Sequence, residues 1–369
     1  MTGLKDLTLR EGSQVPGLDI SDEEGRAVID ALATLGVERI ELSFPRATPR
    51  ESWYRAAEDR GLRTAALARS VPADVEAALA VDPDEVEVII TSSAVQLEHA
   101  LGKSQSEAEA MMVDAIERAV DGGVDVGVTL MDAIRAEGAA LDSYAAAAVD
   151  AGVDHITLAD TTGAGDPASV RGTVAGVVET VAGAAGVAIH PHDDMGVGAA
   201  NAKAGVEAGA DSVDATVGGI GERAGNAPLE AVAVLLAEHG EAFDIDHEQL
   251  TPVCRRVHEA LGVSIDPTTP VIGTAVHRHE SGLHTAAMLR DPAAYEGFDP
   301  TRYGASRELL FGAGTGRGAV RAMLDDAGVD PTDERVDRGL EAIRAAAVDR
   351  EEPLSEAAAR DVVLGAVDG

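Results

Sequence analysis

Short runs rich in apolar and β-branched residues alternate with helical patterns along the first two thirds of the chain. This rhythm constrains the fold more than any other feature of the sequence. The runs are LTL at 7–9, RIELSF at 39–44, TAALAR at 64–69, EVEVIIT at 85–91, VGVTLM at 126–131, HITLAD at 155–160, VAIHPH at 187–192 and SVDATV at 212–217. Between them, stretches such as EAEAMMVDAIERAV and LDSYAAAAVDAG carry their apolar residues at helical spacing. After the eighth run, PLEAVAVLLAEHG reads as a helix stopped by Gly240. Eight strand–helix units within about 240 residues predict an α/β fold, a (β/α)8 TIM barrel over residues 1–240. An open doubly wound sheet is the alternative, but no glycine-rich dinucleotide fingerprint follows an early strand. Residues 241–369 break the rhythm and predict a mainly helical C-terminal extension. It comprises a helix over HEQLTPVCRRVHEALGV, a polar segment of low regularity containing HRHESGLH, and three helices from about residue 316.

The charge balance narrows the partners. The chain carries 29 basic and 65 acidic residues, a formal net charge of −36, and its only lysines are Lys5, Lys103 and Lys203. The acidic residues are spread along helices such as SDEEGRAVIDAL rather than gathered in a tail. They predict a solvated acidic surface of the halophilic kind, suited to concentrated salt, where screening weakens self-repulsion. With no basic stripe to meet phosphates, nucleic acid is not an expected partner. There is no uninterrupted apolar run long enough for a membrane span. The N-terminal MTGLKDLTLREG lacks the pattern of a secretion signal, and the single cysteine, Cys254, excludes an intramolecular disulfide; a cytoplasmic location is expected.

In a barrel of this kind, chemistry sits at the C-terminal ends of the strands, and the polar clusters of this sequence fall there. Strand one runs into TLREGSQ, strand six into LADTTG, strand seven into HPHDDMG and strand eight into TVGGIGERAGN. Alternate residues of a strand share a face, so His190 and His192 project side by side where the seventh strand leaves the core. Two such imidazoles can share a divalent cation, or can be structural groups bonded to Asp193 and Asp194. Glu11, His190, His192 and Asn226 together form a mixed oxygen and nitrogen set suited to six-coordinate Mg2+, Mn2+ or Zn2+. Arg10, beside that set, can hold a carboxylate or stabilise a developing enolate charge. His284, in SGLH, can serve as a general base near neutral pH or be a surface loop histidine.

The segments DLTLREGSQ, HPHDDMGVGAANAKAGVEAGADSVDATVGGIGERAGNAPLE and HRHESGLHTAAML resemble the signatures of the 2-isopropylmalate, homocitrate and citramalate synthases. These are acetyl-CoA-dependent members of the DRE-TIM metallolyase superfamily. The resemblance runs from residue 4 to about residue 320. It implies a metal-dependent Claisen-type condensation of acetyl-CoA with a 2-oxo acid, followed by thioester hydrolysis, in amino-acid biosynthesis. Carried over by position, Glu11, His190, His192 and Asn226 match metal ligands, and Arg10 matches an enolate-stabilising arginine. Gln14 and Thr161 match substrate contacts, Thr161 at the substrate carboxylate. His284 and Tyr295 match a proton-transferring pair that the partner subunit delivers in the relatives, so a homodimer is implied. The rivals are a carbon–carbon lyase or aldolase on the same barrel, and a non-catalytic metal-binding paralogue.

The match has departures. The family usually carries Glu-Asp-Ala at the end of strand five, where this chain has Met131-Asp132-Ala133. Methionine cannot relay a proton, so the usual carboxylate is missing unless Asp132 substitutes. Gln96 stands where relatives often carry a substrate-binding histidine, and GAGTGRGA replaces the common GKHSGRHA. The sequence ends without the long regulatory domain of many isopropylmalate synthases, so leucine feedback of that type is not expected. The HPHDD segment leans toward the homocitrate-type enzymes.

Overall fold

A computed structural model describes residues 2–367. They form two compact units, one running to Ile265 and the other beginning at Asp266.

The first unit is a closed barrel of eight parallel strands in sequential order: β1 Gly3–Asp6, β2 Arg39–Ser43, β3 Arg63–Arg69, β4 Glu85–Thr91, β5 Asp125–Met131, β6 His155–Asp160, β7 Gly186–Pro191 and β8 Ser212–Ala215. Gly3 to Asp6 of β1 register with Ser212 to Ala215 of β8, which closes the ring. Eight helices cover it: α1 Asp22–Leu35, α2 Glu51–Glu58, α3 Pro72–Leu79, α4 Gln105–Asp121, α5 Gly138–Asp150, α6 Pro167–Val181, α7 Gly198–Glu207 and α8 Leu229–Ala237. Capping boxes start α1 at Ser21, α4 at Ser104 and α6 at Asp166, and satisfy amide donors that have no partner inside the helix.

Seven of the expected runs are strands, with ends shifted by a residue or two. The first differs: LTL at 7–9 is not extended. Asp6 accepts the backbone N–H of Thr8 at 3.0 Å and its hydroxyl at 2.8 Å, and the chain turns into a short helix, Thr8–Gly12. The strand is the four residues before that turn.

The alternation along each strand separates two environments. Outward residues such as Ile40, Leu42, Val86, Val88, Val126, Val128, Ile156 and Leu158 are fully buried beneath the helices. Each such side chain contributes about 1.5–3 kcal/mol of transfer free energy. Several inward residues deep in the barrel are ionic. Lys5, fully buried, lies 2.7 Å from Glu87, 3.7 Å from both Glu41 and Glu85, and 3.8 Å from Asp214. Burial would lower the Lys5 pKa, but the surrounding carboxylates outweigh it and the ammonium stays charged. Helix contacts are equally specific. A Cβ on Gly25 of α1 would stand 2.3 Å from the ring of the buried Trp53 on α2.

A further helix, α9 Leu250–Ala260, packs on α1 and buries Leu250, Val253, Cys254 and Val257, so the first unit extends beyond residue 240. The second unit holds a small sheet of β9 Arg278–His279, β10 Glu308–Phe311 and β11 Leu354–Ser355, with β10 in the middle. It also contains α10 Gly282–Met288 and the three helices of the tail, α11 Arg317–Asp326, α12 Asp333–Arg350 and α13 Glu356–Val367. Phe311, Val320, Leu324, Ile343 and Val363 share its core. Among the described residues, no helix is long and apolar enough to cross a membrane.

Candidate metal centre and active site

The turn after β1 is fastened on two sides. The Thr8 hydroxyl donates to Asp6 and accepts the backbone N–H of Val217 at 2.9 Å, tying the β1 end to the loop that follows β8. Burial pushes the Asp6 carboxyl up to about 7, against the two hydrogen bonds from Thr8. From this turn Arg10 and Glu11 project over the barrel mouth. The Arg10 guanidinium hydrogen-bonds both Glu11 and the inward Glu41 of β2. Burial would raise the Glu11 pKa, but Arg10 and His190 hold its carboxyl well below the usual range, so it is an anion.

His190 and His192 come from the end of β7 on one face, with ring centroids 5.2 Å apart. His190 Nε2 stands 3.3 Å from Glu11 Oε1 and 3.2 Å from the Asn226 side-chain amide nitrogen. Its Nδ1 lies 3.3 Å from the buried Asp214 carboxylate. Asn226 is positioned by its backbone, which bridges to His192 and donates to the Gly219 carbonyl at 3.2 Å. Two glycines make this path possible. Gly225 has φ +91°, and its Cβ would meet the Gly219 oxygen at 1.9 Å; a Cβ on Gly221 would meet Asn226 Oδ1 at 2.0 Å.

Whether these side chains suit a cation is tested by their unsatisfied atoms. Ligand atoms of Glu11, His190 and His192 all lie within 4.8 Å of one another. Glu11 Oε2, His192 Nδ1 and Asn226 Oδ1 are buried without a hydrogen-bond partner. Buried polar atoms are ordinarily paired, and unpartnered acceptors on Glu11, His192 and Asn226, next to a close Glu11–His190–His192 cluster, fit a cation. Protonation agrees. Burial and the neighbouring His190 lower the His192 pKa to about 4, leaving a neutral imidazole with a lone pair. For His190, burial opposes charge, but Asp214 and Glu11 raise it to about 9. A divalent cation would take the place of that proton.

A second group, Glu85, Glu87 and His155, also gathers close enough for a metal. There Lys5 already supplies a cation at 2.7 Å from Glu87, and His155 Nε2 lies 3.0 Å from the same carboxylate. Those contacts account for the group as an internal ion network. A cavity of about 550 Å3 between Tyr54, Thr64 and Asp84 lies toward the opposite, N-terminal end of the strands.

The other expected residues are dispersed. Thr161 follows β6, and its hydroxyl accepts the Asp132 backbone N–H at 2.8 Å. Gln14 is exposed just beyond the first turn. His284 and Tyr295 do come together, stacked with centroids 3.9 Å apart, in the second unit. His277 bonds the Val271 carbonyl at 3.1 Å. Met131 is the last residue of β5, in register with Thr91 of β4. Asp132 sits at φ +60° with its carboxylate bound twice by Arg135 at 2.7 Å and also by Ser93.

The sequence reading missed Glu41, Asp214, Lys5 and Arg223. The first three carried a signal: charged residues at inward parity inside apolar strands, where only pairing makes burial tolerable. Arg223 had none. It bonds the Thr161 carbonyl at 2.7 Å and Asp194 at 2.9 and 3.0 Å, clasping the loops after β6, β7 and β8.

Known proteins match both units. The HMGL-like family model matches residues 2–257, and the model for the homocitrate synthase post-HMGL domain matches residues 271–351. A homocitrate synthase of Methanopyrus kandleri is 39% identical over 92% of this chain and 86% of its own length. A probable 2-isopropylmalate synthase of the same organism is 37% identical over 90% of this chain and 67% of its own. Among solved structures, a hydroxymethylglutaryl-CoA lyase from Pseudomonas aeruginosa superposes with a TM-score of 0.64 at 23% identity, over 71% of this chain and 94% of that one; this likeness concerns the fold alone. The chain belongs to the HMGL-like family and carries, after the barrel, the domain typical of its homocitrate synthases.

Proposed function

We propose that this chain is an acyltransferase that condenses acetyl-CoA with a 2-oxo acid and releases CoA, giving a 2-hydroxy acid with one more carboxylate. The observation that carries this reading is the close grouping of Glu11, His190 and His192 at the C-terminal mouth of the barrel, with buried acceptor atoms of Glu11, His192 and Asn226 left without partners. Those four residues would hold Mg2+, Mn2+ or Zn2+, which supplies Lewis-acid polarisation of the substrate carbonyl. Arg10, held against Glu41 and Glu11, faces the oxygen on which charge develops. Thr161, and Gln14 at the rim, bind the substrate. The stacked His284–Tyr295 pair assists removal of a methyl proton from acetyl-CoA. The methyl carbon then bonds to the keto carbon as its C=O π bond opens, the keto oxygen takes up a proton to become the hydroxyl, and water cleaves the thioester to a carboxylate and CoA thiol. A partner copy delivers the His–Tyr pair, so the working form is a homodimer, in the cytoplasm of a salt-adapted cell and in amino-acid biosynthesis.

The named relatives support this reading, being a homocitrate synthase and a probable 2-isopropylmalate synthase. One observation favours a second reading, a metal-binding paralogue without turnover: Met131 cannot carry a proton and Asp132 is committed to Arg135. The deciding experiment measures CoA thiol release from acetyl-CoA in molar KCl. The assay uses Mg2+ or Mn2+ and a panel of pyruvate, 2-oxoisovalerate, 2-oxoglutarate and oxaloacetate. Acid-dependent release that chelation stops and metal restores is expected. Failure of every acid to stimulate release overturns the proposal in favour of the paralogue.

A further inference from the structure

In a ring of eight strands, β5 stands opposite β1, β3 opposite β7 and β4 opposite β8. The proposed metal ligands come from the turn after β1, from the end of β7 and from the loop after β8. A cavity of about 390 Å3 opens on the other side of the mouth, at the ends of β3, β4 and β5. Side-chain parity places part of its wall inside the barrel. Glu87 faces inward to Lys5, so Ile89 and Thr91 share its face; Thr129 bonds Glu87 at 2.6 Å, so Met131 does likewise.

The chemistry of that wall is uniform. Ile89, Leu101, Met111 and Met131 give it an apolar lining. Its hydroxyls are turned to Gln96 or to the backbone. The Thr91 hydroxyl donates to Gln96 Oε1 at 2.7 Å, and the Ser70 hydroxyl to the Ile89 carbonyl at 2.9 Å. The one cation of the lining, Arg69, is engaged by the buried Asp74 at 2.6 and 3.3 Å. A carboxylate buried here would find no uncommitted cation, and an unpaired buried charge is costly. Ligands of a (β/α)8 barrel bind among the loops at this C-terminal face. An acid anchored on the β1–β7–β8 side would extend its remaining carbons toward the β3–β5 side, where this cavity opens.

We infer that the acceptor is a 2-oxo acid with an uncharged aliphatic side chain of several carbons, which fills the cavity between Ile89, Met111 and Met131. This rests on the proposed condensation reaction and names its substrate class. Dicarboxylic 2-oxo acids are disfavoured because the cavity offers their second carboxylate no unpaired cation, only the neutral Gln96 amide. Pyruvate is disfavoured because its methyl group leaves the cavity unfilled. One methylene in an apolar pocket is worth roughly 10–200-fold in discrimination.

Two readouts test the inference on the full chain in molar KCl with Mg2+. The first is kcat/KM from CoA release with 2-oxohexanoate, 2-oxoisovalerate, pyruvate and 2-oxoglutarate. The second is calorimetric binding of the same four acids without acetyl-CoA. Both should favour the two aliphatic acids over pyruvate and 2-oxoglutarate by at least ~10-fold. Met111→Trp, which fills the cavity from α4, should lower kcat/KM and affinity for 2-oxohexanoate at least ~10-fold while changing those for pyruvate by less than about twofold. Preference for 2-oxoglutarate or pyruvate overturns the inference, as does an equal effect of Met111→Trp on every acid. Selective binding of the aliphatic acids without CoA release would sink the condensation reading and leave the cavity assignment standing. Failure of all four to bind would overturn both.

Discussion

Asp214 Oδ2 lies 3.3 Å from His190 Nδ1, and the other nitrogen of the same ring faces Glu11 and Asn226. The buried carboxylate fixes which nitrogen carries the proton and leaves Nε2 for a cation, the usual arrangement behind a metal-binding histidine. Lys5, 3.8 Å from Asp214, keeps that carboxylate ionised against the penalty of burial. Asp214→Asn should therefore weaken Mn2+ binding by ~10–100-fold with little change in secondary structure. Calorimetry with Mn2+ checks it, and unchanged affinity would remove Asp214 from this role.

Truncating the ligands themselves should cost more. His190→Ala and His192→Ala each remove a donor at a strand end rather than a part of the apolar core, so the barrel should fold while metal-dependent activity is lost. The measurement pairs metal stoichiometry with circular dichroism. Normal turnover at wild-type metal content in either variant would show that the cation sits elsewhere.

The loop that carries Asn226 has its own pH dependence. Gly218, at φ +61°, donates its N–H to Glu230 of α8 at 2.9 Å, and Glu230 is fully buried. Burial pushes its pKa up to about 7, partly offset by the Gly218 hydrogen bond. A carboxyl whose folded pKa exceeds its unfolded value binds its proton more tightly when folded. Its stabilisation is full below the unfolded value near 4.5 and is lost as pH rises toward 7. The loss amounts to something on the order of 1–3 kcal/mol. Glu230→Gln keeps an acceptor for Gly218 and removes the titration. In chelator, wild type should therefore lose more melting temperature than the variant between pH 5 and pH 7.5. Parallel curves for the two proteins would refute the assignment.

The acidic surface predicts a salt requirement. With a net charge of −36, lowering KCl from 1 M to 0.1 M lengthens the screening distance from ~3 Å to ~10 Å. Repulsion between neighbouring carboxylates then reaches further across the helices. The melting temperature should fall over that range. A constant or rising value would show that the surface ion pairs, such as Arg118 with Asp114 or Arg360 with Asp326, offset the repulsion.

The barrel was legible because its strands obey a period of two beneath apolar helices, and tertiary packing left that pattern intact over seven of the eight. It failed at Leu7, where a local hydrogen bond from Thr8 to Asp6 competes with extension. The cluster of Glu11, His190, His192 and Asn226 was legible because polar residues at strand ends converge in any such barrel. The ionic interior was harder to see. A charge inside a strand reads as an interruption until its partner is known, and Lys5 and Glu87 are 82 residues apart. Arg223 could not be found from sequence at all, because its role depends on three loops meeting in space.

Met131 stands where the family resemblance expects a glutamate, and the difference can be measured. Its neighbour Asp132 is bound by Arg135 and Ser93, so no carboxylate is free at the end of β5. The methionine instead forms part of the apolar cavity with Ile89 and Met111. A glutamate placed there would meet Gln96, Thr91 and an Arg69 already held by Asp74. Unpaired and half-buried, its carboxyl would take up a proton near neutral pH or draw water into the cavity. Met131→Glu should therefore lower kcat/KM for an aliphatic 2-oxo acid by roughly 10-fold or more, mainly through KM, since apolar contact is lost in ground and transition states alike. General acid–base groups typically contribute ~10²–10⁴-fold to a rate, so restoring a working proton relay would produce the opposite result, a large rise in kcat. The two outcomes separate cleanly once circular dichroism shows the variant folded. A folded Met131→Glu enzyme with a raised kcat would mean that this position still belongs to the proton path and that the cavity beside it is not built for an apolar side chain.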